Sequence, residues 1–251
     1  MPRITILVHD KDTFKSTGYF LHRIATLWHQ QGFQLSVQQG LGRVRDVDLA
    51  IMHVDRTVTP EPYRKMIAQY PRILNGNVLD ISKRAVSRHL VQLGDGYDGP
   101  VIVKTNYNYG GIQELKDLGT KVDEQLKQSR LRYHVLPSPA EVPKDLWHDP
   151  VWVVERLISE KADELYCLRT WMFLGDQETN SICYSPEPIV KSRNIVRRER
   201  VADVPAELRE RRRQLGFDFG KFDYAIVDGE VILYDANRTP SLGNFQPEVM
   251  M

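Results

Sequence analysis

Three oxygen-bearing side chains near the end of the chain, Asp223, Asp235 and Asn237, have the spacing of a cation site. Side chains alternate along a strand, so Asp235 and Asn237 of YDAN project to one side, roughly 6.5 to 7 Å apart along the chain. Asp223 stands upstream in FDYAIV, and Val227-Asp228-Gly229-Glu230 between the two runs is a hairpin signal. Register decides whether Asp223 joins them. A two-residue turn at Asp228-Gly229 pairs Val227 with Glu230 and sends Asp223 and Asp235 to opposite faces. A three-residue loop of Val227, Asp228 and Gly229 pairs Ile226 with Glu230 and Asp223 with Leu233, leaving the two acids as diagonal neighbours about 7 to 8 Å apart. The expectation is the three-residue loop. Two carboxylates and an amide are hard donors that suit Mg²⁺, with Mn²⁺ as the alternative, and such an ion completes its shell with waters and phosphate oxygens. A solvated strand end would read the same way from these three residues alone.

The apolar run Val101-Ile102-Val103 is expected as a buried parallel strand that stops at Lys104 and enters TNYNYGG, a loop whose glycines let backbone N–H groups approach an anion. Lysine precedes the glycines and no GK[ST] follows, so this is not a Walker loop. Gly40-Leu41-Gly42 lacks the third glycine of a dinucleotide fingerprint. Between Lys191 and Arg213 basic residues outnumber acids; a solvated helix face explains 207 to 213, and anion binding is the other reading of the excess. Lys221 shares a face with Asp223, and His9-Asp10 ends the first strand, where α/β sheets gather ligands.

The elements that must hold these residues read as α/β. Residues 3 to 8 form a strand, 17 to 31 an amphipathic helix, 33 to 37 and 47 to 53 further strands, 60 to 70 a helix and 72 to 74 a fourth strand. Strand and helix in alternation imply a parallel sheet. A helix over 80 to 93, a connecting segment over 137 to 150, strands over 151 to 158, 165 to 174 and 231 to 233, and a charged helix over 205 to 215 complete the pattern. Trp28, Trp147, Trp152 and Trp171 read as packing, and Cys167 and Cys183, without CxxC or a histidine partner, as buried small hydrophobes. The chain has 251 residues, 34 basic against 33 acidic, which gives no electrostatic reason to expect nucleic acid or a membrane as partner. The opening MPRITILVHD reads as a strand and not a signal peptide, so a cytoplasmic location is the expectation.

In order along the chain, DISKRAVSRHL, GPVIVKTNYNYGG, WVVERLI and GKFDYAIVDGEVILYDANRTPSLG resemble the ATP-grasp superfamily of carboxylate-amine ligases, the group that includes D-alanine:D-alanine ligases and ribosomal-protein glutamate ligases. The resemblance implies an ATP-grasp fold: an α/β domain over 1–78, a central lobe over 79–153 and a C-terminal lobe over 154–251. It implies that Lys83, Lys104, Gly110 and Gly111 face the ATP phosphates and that Glu155 with the backbone of Arg156 and Leu157 holds adenine. Asp223, Asp235 and Asn237 would bind magnesium, and Lys191, Arg193 and Lys221 would serve the transferring phosphoryl group or the substrate carboxylate. The implied chemistry is activation of a carboxylate by ATP to an acylphosphate, attack by an amine of an amino acid or peptide, and release of ADP and phosphate. A non-catalytic nucleotide-binding protein and a small-molecule kinase stay open as alternatives, and a homodimer is compatible with the sequence. The chain departs from the family in carrying Asp235 where glutamate is commoner, and in its bulky glycine loop and short central lobe.

Overall fold

The computed structural model describes residues 1–12, 14 and 18–241. The expected helix start at residue 17 and the final Leu242-Gly243 of the DANRTPSLG block lie outside them. The first unit runs β1 (Arg3–Val8), α1 (Phe20–Gln30), β2 (Gln34–Gln39), β3 (Leu49–Met52), α2 (Glu61–Ile67) and β4 (Ile73–Leu74). Its sheet has the order β2-β1-β3-β4 and every pairing is parallel, as the strand–helix alternation requires. Ile4, Ile6 and Val8 of β1 pack with Leu21 and Ala25 of α1 beneath it.

The second unit holds α3 (Lys83–Val86), β5 (Val101–Thr105), α4 (Ile112–Asp117), α5 (Glu124–Leu131), β6 (His134–Leu136), α6 (Lys144–His148) and β7 (Trp152–Arg156). Two expectations are corrected here. The strand ending at Lys104 is antiparallel to both neighbours, in the order β6-β5-β7, because the chain returns beside β5 on each side rather than crossing over. The helix expected over 80 to 93 stops at Val86: Ser87 is extended, Leu90 bridges to Glu155, and the N–H of Val91 donates to Val154 O, so this stretch flanks β7 and sends Val91 into the core with Val101, Val103 and Val154. β7 belongs to this sheet through Arg156, beyond the expected boundary at 153/154.

The third unit contains β8 (Glu160–Ala162), β9 (Leu165–Leu174), β10 (Gln177–Ser185), β11 (Arg197–Arg200), α7 (Ala206–Gln214), β12 (Phe219–Val227) and β13 (Glu230–Asn237). Its sheet runs β11-β10-β9-β12-β13, with β8 on β9. β10 was not legible beforehand, although Gly175-Asp176 joins it to β9 in a tight hairpin that pairs Leu174 with Gln177. One face of this sheet places Trp171, Phe173, Phe222 and Tyr224 in a continuous core with Met52, Tyr63 and Met66 of the first unit. Its other face is therefore free to line a cleft. The two cysteines are buried and unbridged, and no described helix is long and apolar enough to cross a membrane.

Candidate functional site

The hairpin that carries the acids does not make the expected three-residue loop. Val227 pairs with Glu230 around the two-residue turn Asp228-Gly229, both at positive φ (51° and 82°). By alternation alone this register would separate the acids. It is repaired further down: the pairing shifts between Asp223 and Tyr224, so that Tyr224 faces Leu233 while Asp223 faces Asp235, and Tyr234 is the extra residue of a β-bulge. Asp223 and Asp235 thus become direct cross-strand partners rather than diagonal ones, and Lys221 pairs with Asn237 in the next row. Phe222, Tyr224 and Ala236 point the opposite way, into the core.

Lysines from the central unit converge on this bulge. Lys83 opens α3 after the Ser82 cap and its ammonium is hydrogen-bonded to Asp235 Oδ1. Lys104, from the end of β5, donates to Tyr234 O at 3.2 Å and pairs with Glu155 Oε2 at 2.9 Å. On the other strand Lys221 pairs with Asp223 Oδ2 at 2.8 Å, and Thr170 of β9 donates to Asp223 Oδ1 at 3.0 Å. Burial alone would raise the Asp235 pKa, but Lys83, with Lys221 and Lys104 behind it, holds it below the usual carboxylate range. Burial likewise disfavours the Lys221 ammonium, and Asp223 outweighs it and raises that pKa.

Two connected cavities lie over the bulge. The first, of about 160 Å³, is lined by Ile102, Glu155, Leu157, Leu168 and Ile189 among others; the second, of about 370 Å³, by the glycine loop, Asp55, Asn237 and Thr239. They share Lys83, Lys104, Tyr133 and Asp235. An apolar slot therefore opens through a pair of lysines into a polar chamber. In the slot Glu155 is 4% exposed and its Oε1 has no hydrogen-bond partner, a buried acceptor that is costly unless a ligand donates to it. The expected use of the Arg156 and Leu157 backbone is corrected in one respect: their N–H groups donate to His89 O and Pro100 O, each at 2.9 Å, so neither N–H is left for a ligand. In the chamber, Gly110 (φ 69°) follows Tyr109 (φ 45°), and a Cβ at Gly110 would lie 3.2 Å from Arg130 O; the expected Gly111 (φ 73°) is buried against Tyr107 and lines neither cavity.

Not every expected residue reaches the cleft. Lys191 donates to Leu131 O at 3.3 Å and lies 4.3 Å from the centre of the Tyr133 ring, so it docks its own loop on the central unit. Arg193 is exposed and lines neither cavity. His9 stacks on Tyr63, and its Nδ1 lies 2.7 Å from Arg56 Nη2; burial, then Arg56, lowers its pKa, and its place is in an ion network that ties β1 to Asp117 rather than in the cleft. Sequence reasoning missed Asp55 and Tyr133, neither of which stands in a motif, and the bulge at Tyr234 within YDAN. Tyr133 is 40% exposed as a residue, and crowding around its ring, with the charges of Asp235, Asp223 and Glu155 near it, pushes its pKa up. No group of three His, Cys, Asp or Glu side chains clusters as a metal site among the described residues. The hairpin offers two carboxylates and one amide, a set that fits a cation which takes its remaining ligands from water or phosphate.

No family model and no curated protein sequence matches the chain. Among solved structures, D-alanine–D-alanine ligase from Bacillus anthracis superposes with a TM-score of 0.53 at 12% identity, over 96% of this chain and 88% of that one. The chain has the ATP-grasp fold. A RimK domain ATP-grasp protein from Sphaerobacter thermophilus (TM-score 0.48, 12% identity, 94% and 90% covered) and a macrocyclase from Microcystis aeruginosa bound with its precursor peptide (0.49, 12%, 94% and 91%) align less closely. At these identities only the ATP-grasp architecture carries over, and the chemistry must be argued from the side chains. Lys104→Ala removes the cation between Glu155 and the bulge. Nucleotide affinity is expected to fall by about 1.5–3 kcal/mol, the worth of a charge-assisted hydrogen bond, in a titration with a fluorescent ATP analogue. An unchanged affinity at an unchanged melting temperature would move the phosphate contact elsewhere.

Proposed function

We propose that the protein is an ATP-dependent carboxylate-amine ligase that activates a carboxylate as an acylphosphate and passes it to the amine of an amino acid or peptide. The carrying observation is the meeting of Lys83 and Lys104 with Asp235 at the bulge, beside Asp223 and in one cleft with Asn237. Cations suited to phosphate oxygens and anions suited to a metal stand here on one wall, which a site for an uncharged ligand would have no reason to assemble.

In this reading adenine enters the apolar slot, where its exocyclic amine would give Glu155 Oε1 the donor it lacks. The triphosphate passes between Lys83 and Lys104 toward the glycine loop. Asp223, Asp235 and Asn237 would hold Mg²⁺, which when bound offsets charge on the transferring phosphoryl group. Lys83 and Lys221 already neutralise these carboxylates in part, so the wall can accept a polyanion and a dication together without a large net field. Lys221, which pairs with Asp223 but lines neither cavity, would steady the substrate carboxylate from the edge of the site.

The test is ADP release across amino acids and small carboxylates, offered singly and in pairs with Mg²⁺. Turnover that requires two substrates is expected. Turnover on one hydroxylated substrate would replace the ligase with a kinase, and nucleotide binding with no turnover on any pair would leave a binding protein.

A further inference from the structure

The larger chamber has two walls of different character. The central-unit wall carries the glycine loop and Arg130, and the junction with the slot carries Lys83 and Lys104. The same chamber is also lined by Asp55, just after β3 in the first unit, with Tyr19, Thr239 and Ser241. Its carboxylate is held at both oxygens by hydroxyl groups: Thr239 Oγ1 lies 2.6 Å from Oδ1 and Tyr19 OH 2.8 Å from Oδ2. Each oxygen keeps a further lone pair, and the side chain is only partly buried.

The neighbouring arginines direct their hydrogen bonds elsewhere, although the charge of Asp55 still offsets part of the burial of Arg238. Arg56, next in the chain, turns its guanidinium to Asp12, Asp117 and His9. Arg238, next to Thr239, is fully buried and donates to the carbonyls of Val54, Val78 and Arg56. Asp55 therefore keeps a carboxylate of fixed orientation at the chamber wall. A nucleotide triphosphate would be repelled from it and drawn to the lysines, so the cavity separates its ligands by charge. Asp55 is also joined to the expected metal donors: Thr239 Oγ1 is 3.3 Å from Asn237 Oδ1, which accepts the Thr239 N–H at 2.8 Å.

We propose that Asp55 is the positioning residue for the amine substrate, receiving a primary ammonium group in the space between Tyr19, Thr239 and Asn237. This rests on the ligase reading for its consequence, since an amine held there waits beside the hairpin at which the carboxylate would be activated. Its recognition chemistry is independent of turnover. A carboxylate already oriented by two hydroxyls loses little freedom on meeting an ammonium, and the pair gains a charge-assisted hydrogen bond in a partly enclosed site. The selected class is a primary amine that binds as its ammonium; an amide or N-acylated compound, which carries no charge there, is refused.

The experiment titrates glycine, β-alanine, ethanolamine and cadaverine, each beside its N-acetyl counterpart, into the full chain saturated with Mg²⁺ and a non-hydrolysable ATP analogue, with heat as the readout. At least one free amine is expected to bind and its acetylated form not to. Asp55→Asn keeps the shape and one hydroxyl donor, with the other hydroxyl turned to accept from the amide N–H, but removes the charge, and should weaken that amine about tenfold or more while nucleotide affinity holds. Tyr19→Phe, which keeps the charge, should weaken it by a smaller factor. The proposal is overturned if no amine binds at millimolar concentration, if Asp55→Asn binds it as wild type does, or if the acetylated compound binds equally. It is also overturned if Asp55→Asn lowers Mg²⁺ affinity and leaves the amine unaffected, which would make Asp55 a metal ligand. Failure of the analogue to bind would instead count against the nucleotide reading, and the amine titration of the nucleotide-free protein would still report on Asp55.

Discussion

Replacing Arg238 by methionine is expected to destabilise the protein by about 3–6 kcal/mol, more than any other substitution in the DANRTPS block, because three buried carbonyls each lose a donor worth about 1–2. Arg238 follows Asn237 and points to the other side of the strand end, with no exposed surface. Its Nε donates to Val54 O at 3.2 Å, its Nη1 to Val78 O at 2.6 Å and its Nη2 to Arg56 O. Burial lowers its pKa to about 10, still above neutrality, so the group stays charged while it ties the end of β13 to the first unit. Methionine matches the side chain only as far as Nε and offers no N–H, so the loss combines the hydrogen bonds with the small cavity left by the guanidinium. Urea denaturation followed by circular dichroism should show a lower midpoint at an unchanged slope. A midpoint within about 0.5 kcal/mol of wild type, the usual range for a surface change, would show that water replaces the guanidinium and that the two units are held by the apolar core alone.

That Arg238 sits beside Asn237 explains why the strand end is so dense in polar residues. One face of Asp235-Ala236-Asn237-Arg238 lines the cleft and the other docks the domain, so both needs are met within four residues. The sequence pattern showed the first need and not the second, since a lone arginine after a metal-type motif carries no periodicity to mark it as buried.

Legibility elsewhere followed the same division. The first unit was read nearly element by element, because parallel strands buried on both sides are apolar runs separated by amphipathic helices. The central unit was read less well. There the apolar runs are short, and Val101-Ile102-Val103 looks alike in a parallel and an antiparallel sheet; only the return of β6 and β7 beside β5 decides. The polar strand β10 escaped because QETNSICYS has its apolar residues crowded at one end, and β11 because RRER has none.

At the candidate site the residue types were legible and their arrangement was not. Asp223, Asp235 and Asn237 were singled out by chemistry, and a one-residue offset in the hairpin was required to bring the acids together. The offset was assigned to the turn, where sequence signals concentrate. It occurs at Tyr234, five residues past the end of the turn at Gly229, where the tyrosine hydroxyl donates to Ile158 O at 2.6 Å and Lys104 takes the backbone carbonyl. Tertiary contacts from β5 and from the loop between β7 and β8 hold this bulge, and no local pattern announces such contacts. Residues that act through such contacts, Asp55 and Tyr133 among them, are similarly silent in the sequence.

Asn237→Ala is expected to leave the fold intact and to reduce Mg²⁺-dependent ADP formation by about a thousandfold, the equivalent of the several kcal/mol that a well-held metal contributes to phosphoryl transfer. The structural cost is small: the amide oxygen accepts one N–H, from Thr239 at 2.8 Å, so the loss is about 1 kcal/mol. The functional cost is larger because the third donor goes while Asp223 and Asp235 stay paired with Lys221 and Lys83, and two carboxylates already neutralised by ammonium groups are poor competitors for Mg²⁺. Raising Mg²⁺ should recover part of the rate in Asn237→Asp, which restores an oxygen and adds a charge, and none in Asn237→Ala. The measurement is ADP release against metal concentration for the three proteins, with denaturation midpoints alongside. If Asn237→Ala turns over at the wild-type rate and metal dependence, the cation is held elsewhere, and Lys83 and Lys221 are the permanent partners of these acids rather than their occupants between turnovers.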